Sequence, residues 1–324
     1  MMHIICKAKT GLSYRIGISV IMAFLVAVVL VPGILEAKTI KPTKQTTFAS
    51  PEDAVKAIIG AMKTHDLKAT EVILGPGSRG VVSSGDEVAD REGRELFIKA
   101  YDEKNMIEMK NSVKAMLYVG KDEWPLPIPI VKKGKRWHFD TKAGKEEILN
   151  RRIGRNELSA IQACLAYVDA QKEYAEEDRD DDGLIEYAEK FVSDPGKKNG
   201  LFWEVKEGEK PSPLGPAFSG FREKGYDLDK VSGKPTPYHG YYFKILTSQG
   251  KNAPGGAYEF GVNGNMIGGF ALIAYPATYG NSGVTTFIVN QDGIVYQKNL
   301  GKNTDKIAEA VKMFDPDTTW KKVE

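Results

Sequence analysis

Residues 156–189 read NELSAIQACLAYVDAQKEYAEEDRDDDGLIEYAE, a long helical pattern running directly into an acidic turn. Leu158, Ile161, Leu165 and Val168 recur at helical spacing, which predicts a helix over residues 156–177 with these four on its inward face. Downstream the period changes. Residues 241–246, 257–262, 269–275 and 284–289 read as strands. Asn290-Gln291-Asp292-Gly293 then reads as a turn into Ile294-Val295-Tyr296, because Asp-Gly between two apolar runs is a hairpin signal. Residues 305–313 predict a closing helix. The second half, residues 145–324, is therefore expected to pack one long helix on an antiparallel sheet.

The turn itself carries chemistry. Calcium takes roughly six to eight oxygens, so a short loop must point many oxygens inward. Residues 178–189 fit an EF-hand loop: Asp178, Asp180 and Asp182 stand at positions 1, 3 and 5, and Gly183 takes the sharp turn at 6. Leu184 offers its carbonyl at position 7, Glu186 acts at 9 through water, and Glu189 closes the set at 12. Ile185, at position 8, is expected to anchor the loop against flanking helices, with a short exiting helix over 187–192. One loop without a partner loop points to a structural ion of the weak, extracellular kind rather than a sensor.

Upstream, residues 48–144 predict a separate α+β domain. Ser50-Pro51-Glu52-Asp53 is a helix start, followed by an apolar stripe of Ala54, Val55, Ile58, Ile59 and Met62. Residues 67–74 and 86–102 continue as helices, the latter with Leu96, Phe97 and Tyr101 inward. Residues 113–119, 124–131 and 137–140 then read as strands. Pro125, Pro127 and Pro129 alternate with Leu126, Ile128 and Ile130, so this segment is an edge strand or a polyproline-like stretch. Helices followed by such a sheet resemble the cone-shaped nuclear-transport-factor-like and cystatin-like α+β domains.

Residues 1–37 read as a signal peptide: Lys7, Lys9 and Arg15 precede an apolar run over 16–31, and Ala37 stands at the cut. Export to the periplasm or beyond is expected; the alternative is an inner-membrane anchor through uncleaved residues 16–31. A polar linker follows over 38–47. Loss of the leader removes Lys7, Lys9, Arg15 and Glu36 and leaves acidic and basic residues equal in number. A neutral chain lacks the basic stripe that nucleic acid requires. Cys164 is the one cysteine outside the leader, so no disulfide is expected within the chain. With the leader removed, no stable membrane insertion is expected, and the partner is an envelope or extracellular component.

Several motifs together resemble a bacterial family of exported proteins, domain of unknown function 2950. They are Phe48-Ala-Ser-Pro-Glu-Asp-Ala-Val, residues 120–129 (GKDEWPLPIP), residues 150–158 (NRRIGRNEL), Tyr238-His-Gly-Tyr-Tyr-Phe, Gly268-Gly-Phe-Ala-Leu and residues 287–298 (FIVNQDGIVYQK). The resemblance implies export and a shared fold, and no activity. The second half is also similar to the globular heads of type IV pilins and pseudopilins, through the helix start at Asn156, residues 240–246 and residues 274–287. It departs from them where Arg151, Arg152 and Arg155 replace the apolar polymerising helix.

For catalysis the pattern is thin. Gly-x-Ser-x-Gly and His-Glu-x-x-His are absent, and Ala253-Pro254-Gly255-Gly256-Ala257 lacks the Lys-Ser/Thr of a phosphate loop. His65 and His138 read as surface and sheet-face residues. His239, between Tyr238 and Gly240, is the one histidine placed to line a pocket and move protons. The expectation is a non-enzymatic binding or structural module stabilised by one calcium ion. The alternatives are a periplasmic hydrolase with a pocket near His239 or in the cone domain, and a pilus- or secretion-associated structural protein.

Overall fold

Ser50 opens the first helix: its hydroxyl accepts from the Asp53 amide at 3.1 Å, with Pro51 supplying a pre-set first turn. The same device recurs at Asp66 and Asp86, whose carboxylates accept from the amides of Ala69 and Ala89. These caps start α1 (Pro51–Lys63), α2 (Leu67–Leu74) and, after a short α3 (Arg79–Val82), α4 (Glu87–Glu103). The computed structural model describes residues 44–179, 183–217, 226 and 236–324. The expected signal peptide and the alternative anchor over 16–31 lie outside the described residues, as do Asp180 and Asp182.

The first sheet contains β1 (Asn105–Asn111), β2 (Lys114–Val119), β3 (Trp124–Pro125), β4 (Ile130–Lys133) and β5 (Arg136–Phe139). Its order is β1-β2-β4-β5, with β3 also on β2, and every pairing is antiparallel. Pro127 and Pro129 fall between β3 and β4, where no ladder amide is needed. Leu126, Ile128 and Ile130 on the opposite phase are buried, with Ala54, Val55, Ile58 and Phe139 in the same core. Leu96, expected inward, is 62% exposed; Phe97, Ala100 and Tyr101 carry the inner face of that stretch of α4.

A 34-residue helix, α5 (Thr141–Tyr174), leads from this core to the second. It begins well before the expected start at 156, capped by Asp140, whose carboxylate accepts from the Ala143 amide. Its inward face agrees with expectation at Val168, which is buried, and Ile161, which packs on the core, and differs elsewhere. Ala160, Cys164, Tyr167, Gln171 and Tyr174 are buried, whereas Leu158 and Leu165 are exposed. Small residues let the helix approach the sheet closely, and the two tyrosines bury rings while their hydroxyls find partners. Tyr167 donates to the Ala271 carbonyl at 3.3 Å and Tyr174 to that of Lys198 at 2.8 Å.

The second sheet uses β6 (Tyr241–Leu246), then the short β7 (Ser248–Gln249), β8 (Tyr258–Glu259), β9 (Gly261–Val262) and β10 (Asn265–Met266) pairing among themselves. The main strands that follow are β11 (Ala271–Pro276), β12 (Thr286–Asn290), β13 (Tyr296–Lys298) and β14 (Lys321–Lys322). The five-stranded order is β14-β13-β12-β11-β6, all antiparallel. All six residues of β11 are buried, so both faces of the sheet's centre are covered; α5 and α6 (Thr304–Ala310) both pack against it. The helix α6 stops short of the expected Met313. Lys244 takes over its end, donating to the carbonyls of Ala308, Glu309 and Val311. The fold is therefore α+β, as expected from the sequence.

Among the described residues no helix is long and apolar enough to cross a membrane.

Candidate functional site

Between α1, α2, α4 and the N-terminal part of α5 lies a cavity of about 210 Å³. Its walls follow from the packing. Ile58 and Met62 come from α1, Leu74 from α2, Phe97 from α4, Ile128 from the proline-rich turn and Ile148 from α5. The polar part of the lining is Ser84, Asp90, Arg94, Arg152, Arg155 and Asn156.

Arg152 is a half-buried guanidinium held by neutral oxygens. It donates to the carbonyls of Gly80 (2.5 Å) and Val81 (2.6 Å) and to Asn281 Oδ1 (2.7 Å). Burial weakens its hold on its proton; Asp90 opposes that pull and Arg155 adds to it. Asp90 is partly spoken for, since its Oδ2 accepts from the Ser84 amide at 2.7 Å. The Nε of Arg94 is buried with no hydrogen-bond partner among the described residues. Asn156 is tied to the second half through the Ser282 carbonyl (2.9 Å).

Beside the cavity a second polar node joins the halves. Asp86 is 1% exposed and accepts from the Gly240 amide (3.0 Å) and from the Tyr226 hydroxyl (3.2 and 3.0 Å to its two oxygens). The Tyr226 hydroxyl is pushed far above its ordinary value, first by burial and then by the Asp86 charge. With each carboxylate oxygen receiving donors, the node acts as a clasp.

At the acidic loop, Asp178 Oδ2 accepts from the Gly183 amide at 2.8 Å, folding loop position 1 back onto position 6. Gly183 has φ +87°, the left-handed region that a residue with a Cβ resists. Leu184 and Glu189 are exposed and Glu186 is half-buried. Ile185, expected to anchor the loop, is 55% exposed. No exiting helix forms over 187–192. Tyr187 instead bridges Met266, its amide donating to that carbonyl at 2.8 Å, and Val192 bridges Phe202. The segment is extended because pairing with neighbouring strands satisfies its backbone better than one isolated helical turn would. Asp180 and Asp182 lie outside the described residues, and among the described residues no group of three or more His, Cys, Asp or Glu side chains converges as a metal site.

The histidines are dispersed. His65 is exposed in the turn after α1, and His138 lies half-buried between the buried Trp137 and Phe139. His239 has φ +47°, its ring centroid 4.3 Å from that of Tyr238, and it does not line the cavity. Asp86, Arg94 and Gln171 were not singled out by sequence. The partners of Asp86 and Gln171 across the fold are distant in the chain, Arg94 reaches the cavity only through packing, and the one local signal, Asp86 as a helix cap, concerns only its α4 contact.

A family model described as "Protein of unknown function (DUF2950)" matches residues 45–323. The chain belongs to the DUF2950 family. The match spans both cores, the cavity and the acidic loop, so these features lie within a single family unit. Neither the curated proteins nor the solved structures contain a match to the chain.

Proposed function

We propose that this DUF2950 protein is an exported, non-enzymatic binding or structural module of the cell envelope, its second half stabilised by one calcium ion at residues 178–189. The observation that carries the reading is the Asp178–Gly183 contact, which folds loop position 1 back onto position 6 and closes the turn as an ion-binding loop of this kind requires. Asp178, Asp180, Asp182 and Glu189 would supply carboxylates, Leu184 its carbonyl, and Glu186 a water-mediated contact. A bound ion would tie the end of α5 to the extended segment after the loop.

The finer fold reading belongs with this proposal. Four helices and a five-stranded antiparallel sheet around one core support a nuclear-transport-factor-like or cystatin-like cone for residues 48–144. A long helix laid on an antiparallel sheet supports a pilin-head-like second half. Used singly, such a head would be a binding module rather than a filament subunit.

Thermal melting in calcium and in chelator, with isothermal titration, tests the reading. Calcium should raise the melting temperature of the wild type and leave Asp178→Ala unmoved. Equal melting of the wild type in both conditions would sink it. The hydrolytic alternative draws on the cavity and on the buried Asp86–Tyr226 pair beside His239; turnover of ester or peptide probes that His239→Ala abolishes would favour it instead.

A further inference from the structure

We infer that the cavity beneath α5 is a binding site for a small amphiphilic carboxylate, its apolar body against Ile58, Phe97 and Ile128 and its carboxylate between Arg94 and Arg155. The inference goes beyond the calcium reading and shares no residue with residues 178–189.

Size limits the ligand first. A dry apolar cavity of about 150 Å³ accommodates a benzene-sized body, and drug-sized sites run to roughly 300–1,000 Å³. At about 210 Å³ this cavity suits one ring or a medium-length acyl chain. The apolar walls supplied by α1, α2, α4 and α5 fit such a body and offer it no polar partner.

Charge then selects the head. Three guanidinium groups line the cavity against one carboxylate, Asp90, and none of the three makes an ion pair within 4.0 Å among the described residues. Arg152 is committed to the Gly80 and Val81 carbonyls and to Asn281, so it contributes charge without a free fork. Arg94 is different: its Nε is out of solvent and has no acceptor. A buried donor left without an acceptor is costly. A carboxylate oxygen at this point removes that penalty. Arg155, one turn beyond Arg152 on α5, lines the cavity while remaining exposed to solvent, so it can meet an anion from outside. The planar guanidinium fork matches a carboxylate in two parallel hydrogen bonds.

The shared chemistry has two sources, an acyl chain or an aromatic acid. Titration calorimetry on the full mature chain with octanoate and with phenylacetate separates them, octan-1-ol and acetate serving as head-deleted and body-deleted controls. One of the two carboxylates should bind saturably, with the alcohol at least about tenfold weaker, as loss of a charge-assisted contact implies, and acetate not measurable. Arg94→Gln and Arg155→Gln should each weaken the carboxylate at least fivefold and leave the alcohol unchanged. Phe97→Ala should weaken both. Should Arg94→Gln fail to fold, Arg155→Gln, at an exposed position, still decides. Repeating the titration in chelator distinguishes the two proposals, because carboxylate binding that persists without calcium supports this site whatever becomes of the loop. Equal affinity for octanoate and octan-1-ol, no binding of either acid, or indifference to both arginine substitutions would overturn the inference; tighter binding of inorganic phosphate than of either acid would do so as well.

Discussion

Gln171 and Ala188 exchange two hydrogen bonds across the acidic loop: the Ala188 amide donates to Gln171 Oε1 at 2.8 Å, and Gln171 Nε2 donates to the Ala188 carbonyl at 2.7 Å. The same Nε2 reaches the Tyr167 hydroxyl at 2.9 Å, and the whole side chain is buried. A polar side chain thus performs the role of a strand neighbour, fixing the loop's exit to the helix that feeds it. Replacing Gln171 with Leu keeps most of the volume but strands a buried amide and carbonyl, so a loss of about 2–4 kcal/mol is expected. Urea denaturation of the variant measures it, and a loss under about 1 kcal/mol would show that the pair is not what holds the exit. Calcium affinity should fall in parallel, because residue 188 belongs to the proposed loop.

Asp86 does for the two halves what Gln171 does for the loop. It caps α4 through the Ala89 amide and takes the Gly240 amide and the Tyr226 hydroxyl from the other half of the chain. Asp86→Ala leaves three donors without an acceptor, and a destabilisation of about 3–5 kcal/mol is expected. Tyr226→Phe removes one donor only and should cost about 1 kcal/mol. In the double variant the tyrosine change should cost almost nothing further. Additive effects in that cycle would mean that the carboxylate and the hydroxyl act independently.

What could be read in the chain and what could not divide along physical lines. Local chemistry was legible: the Ser50 cap starts α1 where expected, α2 spans the expected residues 67–74, and β6 spans the expected residues 241–246. Hydrophobic ranking misled on α5, since it favoured Leu158 and Leu165 over Ala160 and Gln171. The sheet selected for close approach and for satisfied polar heads instead. The strand β1 went unseen because its side chains are largely exposed and carry little apolar alternation. The arginines of the cavity come from α4 and α5, brought together only by packing. Arg152 and Arg155 stood out in sequence as a departure from pilins, without any hint that a cavity lay beneath them.

Two glycines of α5 should respond oppositely to the same change. A Cβ at Gly144 would sit 2.5 Å from the Pro127 carbonyl oxygen and 2.7 Å from the Ile128 Cα, and both are backbone atoms that cannot turn aside. Gly144→Ala should cost about 1–3 kcal/mol through overpacking, and it should loosen the cavity, because Ile128 is part of its wall. Gly154 meets nothing within 4 Å. Gly154→Ala should therefore add about 1 kcal/mol from helix propensity and reduced unfolded-state entropy. Paired denaturation curves test both, and effects of the same sign would contradict the packing described for the start of α5.

Alkaline pH should unfold the protein through its buried hydroxyls and thiol. Burial drives the Tyr167, Tyr226 and Tyr241 hydroxyls upward from 10.0, with the Asp86 and Glu157 charges adding to the effect at Tyr226 and Tyr241 respectively. Burial likewise pushes the Cys164 thiol from 9.0 up to about 12. In each case the folded chain keeps a proton that the unfolded chain releases. Stability from these groups is therefore complete below the unfolded values, and it falls as pH rises from about 9 through 10 and beyond. Urea midpoints should be flat near neutral pH and decline above that point, with tyrosinate absorbance rising together with loss of structure. Cys164 supplies an independent check, since a fully buried, protonated thiol should react with a disulfide reagent only as fast as the chain opens. Rapid labelling of Cys164 at neutral pH, without unfolding, would show that α5 does not seal against the second sheet.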